Sequence, residues 1–218
     1  MFTGRQENIE RMVDAIQTHA AGSVFYTGVE KISERVIDAI RAVPRDDFVP
    51  DGMKRYAFDD SPLPIGAEQT ISQPFIVALM CELLGLNSSS VVLDVGTGCG
   101  YHAAVLSFLC KRVYSIEIRP ELAELGKGHL ERYSNVVVGC RDGRIGWEEQ
   151  SPFDGISVAA AADIVPPALL SQLNVRGRMV IPLKSGVTGS QGLTLIERKG
   201  GDSCDSREVL PVTFVPLV

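Results

Sequence analysis

The chain has 218 residues, 45% of them hydrophobic, enough to bury the core of one domain. Its formal net charge of -6 denies it the positive field with which proteins gather nucleic acid or anionic lipid, so neither is expected as a partner. No apolar run approaches the roughly 18 residues of a membrane span, and the charged start MFTGRQENIERMVD is unlike a signal peptide; a cytoplasmic protein is expected.

Met12, Val13 and Ile16 recur at helical spacing, as do Val36, Ile37 and Ile40 behind Ser33, a residue suited to cap, and Pro44 stops the second run. Between them HAAGSVFYTG reads as a loop. The stretch DDFVPDGMKRYAFDDSPLPIGAEQTISQP is rich in Pro, Gly and Asp yet carries Phe48, Tyr56, Phe58, Leu63 and Ile65, the make-up of a folded binding loop. From Pro74, the residues Ile76, Leu79, Met80, Leu83 and Leu84 mark an amphipathic helix that Gly85 can end.

Strands and helices then alternate: strand 90–95, helix 101–109, strand 112–117, helix 120–132, strands 135–138 and 155–160, helix 167–173. That order belongs to an α/β fold with a mostly parallel, doubly wound sheet. Strands at 178–183, 193–198 and 208–215, separated by SGVTGSQG and KGGDSCDS, predict antiparallel edge strands in the C-terminal part. There is no internal repeat and no clean boundary, so 1–218 is predicted to be one domain, with 1–73 a helical extension and binding loop ahead of a 74–218 core.

Cys81, Cys99, Cys110, Cys140 and Cys204 are an odd set without a C-x-x-C pair, which predicts reduced, unpaired thiols. The helix after Cys99 could lower its pKa, but no base stands near it, and a small loop residue is the plainer reading. His19 is read as a loop residue and His102 and His129 as helical; none has an acid partner by spacing, so neither a triad nor a metal is expected. Trp147 reads as a packing anchor.

The strongest local signal is VVLDVGTGCGYHAA, a strand running into Asp94, Gly96, Thr97, Gly98 and Gly100 and then a helix. Glycines there let the backbone turn tightly and approach a ligand, while free amides at the helix start face it. Glu117 closes the next strand about 20 residues further on, where an acid takes the two hydroxyls of a ribose. Asp142 and Gly143 follow the strand after that, within reach of an adenine, although a DG pair alone is more often a turn. The Gly-x-Gly-x-Gly spacing departs from the dinucleotide fingerprint, and Asp94 puts negative charge near the ligand, which favours a sulfonium cofactor over a nicotinamide.

The blocks SPLPIGAEQTISQPFIVALM, the glycine turn, GRIGWEEQSPFDGISVAAAA and the terminal FVPLV stand in the order found in the protein-L-isoaspartate (D-aspartate) O-methyltransferase family. The chain resembles that family from about Val43 onward, and TISQP is the most specific piece. The resemblance implies a Rossmann-like fold that uses S-adenosylmethionine and releases S-adenosylhomocysteine. It implies Ser72 as the active-site residue, and cofactor contacts from Gln69, Thr70, Asp94, Gly96, Thr97, Gly98, Gly100, Glu117, Ile118, Asp142 and Gly143. Ile71, Ser72, Ala160, Ala161, Val215, Pro216 and Leu217 would border the peptide. Read from its position alone, Ser72 precedes a helix, where capping is the commoner task.

The implied reaction is methyl transfer to the free carboxylate of L-isoaspartyl residues in damaged proteins or peptides, starting repair through a succinimide. Isoaspartyl peptides and unfolded or aged proteins would be the partners. A carboxylate is already ionised at pH 7, so the reaction needs no general base. Glu68 stands where the family usually has a small residue, Arg141 where a glycine is usual, and Thr213 where an arginine is expected. These departures keep two alternatives open: methylation of an ordinary Asp or other carboxylate on a dedicated peptide, and an inactive cofactor-binding relative.

Overall fold

A computed structural model of the protein describes residues 3–184, 189–201 and 203–218. Positions 1–2 of the charged start, 185–188 of the expected SGVTGSQG loop and 202 of KGGDSCDS lie outside the described residues. Helix α1 spans Thr3–Thr27 and α2 spans Glu34–Ala42. The stretch read as the loop HAAGSVFYTG is therefore helical almost throughout, and His19 is a helix residue. Ile9, Met12, Val13, Ile16 and Ala20 form the buried face of α1, but beyond Ala20 the apolar stripe fades, which removed the periodic signal. The polar residues of that stretch are satisfied inside the helix: Ser23 and Thr27 donate their hydroxyls to the carbonyls of His19 and Ser23, at 2.8 and 3.2 Å.

Ser33 occupies the cap position of α2 without capping it. Its hydroxyl and its backbone N–H donate to Glu82 Oε2 at 2.7 and 3.0 Å, tying α2 to the next long helix, α3, Pro74–Leu84. That helix ends, as expected, on Gly85 in the left-handed conformation (φ 60°).

The irregular stretch before α3 contains two 3-10 turns, Arg45–Asp47 and Asp51–Tyr56, and a hairpin of β1 (Leu63–Gly66) and β2 (Gln69–Ile71). The hairpin escaped the sequence reading because its strands are very short and its turn residues, Ala67 and Glu68, both take positive φ (49° and 58°) without being Asn or Gly. What fixes this region is Arg45, fully buried. Its Nη1 donates to the carbonyl of Ala57 (2.7 Å) and its Nη2 to those of Ser61 (2.9 Å) and Ser72 (3.0 Å). One guanidinium thus links a 3-10 turn, the entry to the hairpin and its exit.

After α3 come β3 (Val91–Val95), α4 (Tyr101–Ser107), β4 (Arg112–Glu117), α5 (Pro120–Leu130), β5 (Val136–Cys140), β6 (Phe153–Val158), α6 (Pro167–Gln172), β7 (Leu173–Lys184), β8 (Gln191–Gly200) and β9 (Ser203–Val212). The seven-stranded sheet has the order β5-β4-β3-β6-β7-β8-β9. Pairing is parallel from β5 to β7 and antiparallel from β7 through β9, as the sequence predicts. The last strand is displaced from the predicted 208–215, because the Gly- and Ser-rich KGGDSCDS is largely drawn into the β8–β9 ladder and 213–218 leaves it. Both faces of the sheet are covered, so inward positions alternate between two cores. Val92, Val113, Val180 and Leu193 pack with α1 to α4, whereas Leu93, Val95, Ile116, Met179 and Ile181 pack with Trp147, Phe153 and Leu169.

Lysine at position 45 offers a single ammonium and cannot span the carbonyls that Arg45 serves. Arg45→Lys is expected to destabilise the protein by about 2–4 kcal/mol, read by urea unfolding. Hydrogen exchange should rise across 57–72 before it rises in the sheet; uniform acceleration would contradict the local role.

Candidate functional site

The chain runs outward from β3 through β4 to β5 and then crosses back to β6 on the other side of β3. At such a reversal the loops after the strands part and leave a crevice at their carboxyl ends. Here it is a cleft of about 840 Å³, lined by Gln69 to Gln73 of the hairpin exit, by Gly96 to Cys99, by Glu117 and Ile118, and by Gly143, Ala160 and Val215 to Leu217. The structure brings together most of the residues singled out in the sequence. Gly100 lies at the start of α4 behind the turn, and Ala161 is buried beside the terminal segment rather than on the cleft surface.

The glycine turn is held in a shape only glycine tolerates well. Gly96 has φ 96°, and a Cβ there would stand 3.4 Å from the Ala159 Cβ; Gly98 has φ 52°, and a Cβ there would stand 3.2 Å from Ile65 Cδ1. Glu117, buried at the end of β4, accepts the Gly98 N–H on Oε2 (2.9 Å) and the Arg119 N–H on Oε1 (3.0 Å). Its carboxylate is thereby aimed at the turn, and each oxygen keeps a lone pair for a hydroxyl in the cleft. His129 of α5 bonds the Cys99 carbonyl at 2.9 Å and closes the turn from behind. Burial pushes the Cys99 thiol up to about 11, so it is no nucleophile at neutral pH.

Asp94 lies fully buried beneath this turn. Its Oδ2 accepts from Ser115 Oγ (2.7 Å), which also meets Thr97 Oγ1 (2.6 Å), while its Oδ1 has no hydrogen-bond partner. Burial raises its pKa to about 7, with Glu117 adding repulsion and the Ser115 bond opposing. His102 Nδ1 stands 3.7 Å from Oδ1 and its Nε2 is 3.5 Å from Cys81 Sγ. Burial holds His102 down to about 4, so the imidazole is neutral and does not compensate the acid. The sequence expectation of a fixed negative charge at Asp94 is thus refined: near pH 7 the acid is poised between its two forms, and a cation in the cleft would favour the ionised one.

Ser72 is half-buried on the cleft wall. It does not cap α3: the cap position is Gln73, without a side-chain bond. The free Phe75 N–H is taken instead by Asp60 Oδ1 (2.8 Å), whose Oδ2 accepts from Gln73 Nε2 (3.0 Å). With the capping task done by Asp60, the Ser72 hydroxyl is left without a partner among the described residues. The Ala161 N–H donates to Val215 O and the Leu217 N–H to Ala161 O, both at 2.8 Å, which fixes the terminal segment over the cleft.

Asp142 behaves differently from its neighbour Gly143. Its carboxylate accepts from the Arg144 N–H (2.8 Å) and from Arg144 Nη2 (2.7 Å) and does not reach the cleft surface. Of the departing residues, Glu68 and Thr213 stand on the cleft rim, and Arg141 lies over the Trp147 ring (4.5 Å) and beside Glu149 (3.2 Å). Trp147 is buried against Tyr114, as its packing role requires. The reading that no histidine has an acid partner is overturned for His19, whose Nδ1 meets Asp60 Oδ2 at 2.6 Å, whereas neutral His102 approaches Asp94 without bonding it. A partner 41 residues away, across a misread helix, left no signal in the spacing.

A parallel sheet with this glycine turn at its reversal, an acid ending the next strand and a cleft at the strand tips defines a Rossmann-like methyltransferase of the S-adenosylmethionine-dependent class. The family model for protein-L-isoaspartate(D-aspartate) O-methyltransferase matches residues 26–218. The chain is 50% identical over 208 residues to protein-L-isoaspartate O-methyltransferase 2 of Nitrosococcus oceani, covering 94% of each chain. It is 47% identical to the enzyme of that name from Syntrophobacter fumaroxidans, over 95% of this chain and 84% of the relative. A solved protein-L-isoaspartate O-methyltransferase superimposes with a TM-score of 0.83 at 28% identity, over 95% of this chain and 65% of that one. A putative member from Plasmodium falciparum, solved with S-adenosyl-L-homocysteine, shares the fold at a TM-score of 0.79 and 21% identity, over 98% of each chain. The chain belongs to the protein-L-isoaspartate(D-aspartate) O-methyltransferase family.

Asp94 makes a pH signature. Between about pH 4 and 7 an unfolded chain has lost the proton that folded Asp94 keeps, so this group's contribution to stability falls as pH rises through that window and stays low above it. Asp94→Asn removes the dependence. Measured by denaturant unfolding of the ligand-free protein, the variant should gain on the parent by on the order of 2 kcal/mol from pH 5 to pH 7; a constant difference would contradict the raised pKa.

Proposed function

We propose that the protein transfers a methyl group from S-adenosylmethionine to the free carboxylate of L-isoaspartyl residues in damaged peptides and proteins. The observation that carries this reading is the Ser72 hydroxyl, freed from capping by Asp60 and facing the cleft that the glycine turn borders. The residues present suit the cofactor: a buried Asp94 beneath the turn, whose ionised form a cation in the cleft would favour, Glu117 with lone pairs to spare for ribose hydroxyls, and a turn whose glycines allow close approach. When bound, S-adenosylmethionine supplies an electrophilic methyl on a positively charged sulfur. Gln69, Thr70, Thr97, Ile118 and Gly143 would complete its surroundings; Asp142, held by Arg144, would join them only after releasing that partner.

The chain's own part is to position the acceptor. Ser72 donates its O–H to one oxygen of the substrate carboxylate, leaving the other free to attack in line. Ile71, Ala160, Val215 and Leu217 exclude water that would otherwise solvate that oxygen. No base is needed, since the nucleophile is already an anion. The carboxylate oxygen gains the methyl and the sulfur keeps the bonding pair, giving a neutral ester and S-adenosylhomocysteine. Attack of the following backbone nitrogen then expels methanol and closes a succinimide without further catalysis. The unpaired cysteines suit a reducing compartment, which favours the cytoplasm; among the described residues no helix is long and apolar enough to cross a membrane.

With labelled S-adenosylmethionine and two peptides differing only in isoaspartate versus aspartate, base-labile label is expected on the isoaspartyl peptide alone. Label on the aspartyl peptide would replace the reading with a tailoring enzyme. Ser72→Ala should lower turnover roughly 10- to 100-fold with little change in cofactor affinity; unaltered turnover would remove Ser72 from its role.

A further inference from the structure

The cleft has a wall that the family-like blocks do not supply. His19 and Ser23 of α1 line it together with Ser72 and Phe75, although the family model begins only at residue 26. The His19 ring lies flat against Phe75, with centroids 4.9 Å apart and planes 16° from parallel. An ionised carboxylate only accepts hydrogen bonds, so the 2.6 Å contact with Asp60 Oδ2 sets the His19 Nδ1 as the donor. Stacking on one side and Asp60 at one nitrogen hold the ring in place. Its Nε2, for which no protein partner exists among the described residues, is the remaining polar position.

Residues 19, 23 and 26 follow one another at helical spacing and so share a face of α1. Tyr26 carries that face beyond the cleft; it is 62% exposed, and Phe25, packed edge-on against it at 5.2 Å, is 90% exposed. Such a stripe, polar at the cleft and aromatic further out, matches an extended peptide leaving the site, with backbone groups near His19 and side chains near the ring pair.

We propose that the His19–Ser23–Tyr26 face of α1 is one wall of the peptide groove, with His19 Nε2 hydrogen-bonding the substrate backbone beside the isoaspartate and Phe25 and Tyr26 receiving apolar side chains further along. The proposal rests on the isoaspartyl reading given above. Continuity with the cleft selects the substrate chain as the occupant. From residue 19 to 26 the helix rises about 10 Å, the length of roughly three extended peptide residues, so only substrates with at least that much flanking chain reach the aromatic end.

The test compares isoaspartyl peptides carrying one or about five residues on each flank. His19→Asn keeps a donor for Asp60 but has nothing at the Nε2 position; Phe25→Ser with Tyr26→Ser alters only exposed rings. His19→Asn should raise the peptide KM about fivefold, with kcat and the S-adenosylmethionine KM unchanged. The paired serine variant should raise the ratio of long-peptide to short-peptide KM by a similar factor. Variants matching an active wild type on both peptides would overturn the wall alone. A concentration-dependent dimer abolished by the serine pair, with the KM ratio unmoved, would assign the rings to self-association and also overturn it. A wild type that methylates neither isoaspartyl peptide would overturn the functional reading, and the wall with it.

Discussion

A positive charge without a carboxylate partner sits beneath the hairpin segment that borders the cleft. Arg45 is buried and its burial lowers its pKa, and what offsets the cost of desolvation is a set of backbone carbonyls rather than an acid. Tyr101, the first residue of α4, adds its ring at 5.9 Å. Because those carbonyls belong to Ala57, Ser61 and Ser72, the cation's need for acceptors dictates the path of an otherwise irregular chain. The hairpin exit, and with it the Ser72 hydroxyl, is set by a residue whose side chain is not on the cleft surface.

Asp60 performs a second act of remote positioning. By taking the Phe75 amide and the Gln73 side chain, it completes the start of α3 from outside the helix and spares the serine that sequence logic would make a cap. Across the cleft, Glu117 plays the matching part by holding the Gly98 amide. Both walls are thus held by bonds within the chain itself.

The sheet was legible because its signals are local and redundant. Buried strands read as apolar runs, their connecting helices show a stripe, and the glycine turn sits between Val95 and Tyr101 with an acid on either side of it in the chain. The tail was legible in kind but not in register, since a strand that opens with the exposed Ser203-Cys204-Asp205-Ser206 at a sheet edge carries little periodicity. The 19–27 part of α1 was missed because Ala20 is its one buried apolar residue, so tertiary contact sustains a helix that pattern alone would end. The β1–β2 turn was missed because Ala67 and Glu68 adopt a conformation usually left to Asn and Gly. In the site, residue identities were readable but their states were not: the raised pKa of Asp94, the lowered one of His102 and the Arg144-bound Asp142 depend on burial and on neighbours that spacing does not reveal.

The strand order also governs the sequence of assembly. Strand β3 meets β4 through a short connection but meets β6 only after two further crossovers, and the Gly96 turn is shaped against Ala159, just past β6. During synthesis the first half of the sheet can pair early, yet the cleft cannot take form until the returning strand and the 213–218 segment arrive. Such distant pairings are slow to close. Until they do, the apolar faces of β3 lie open, and a nascent chain that is stopped short of residue 160 presents an aggregation-prone sheet with no site.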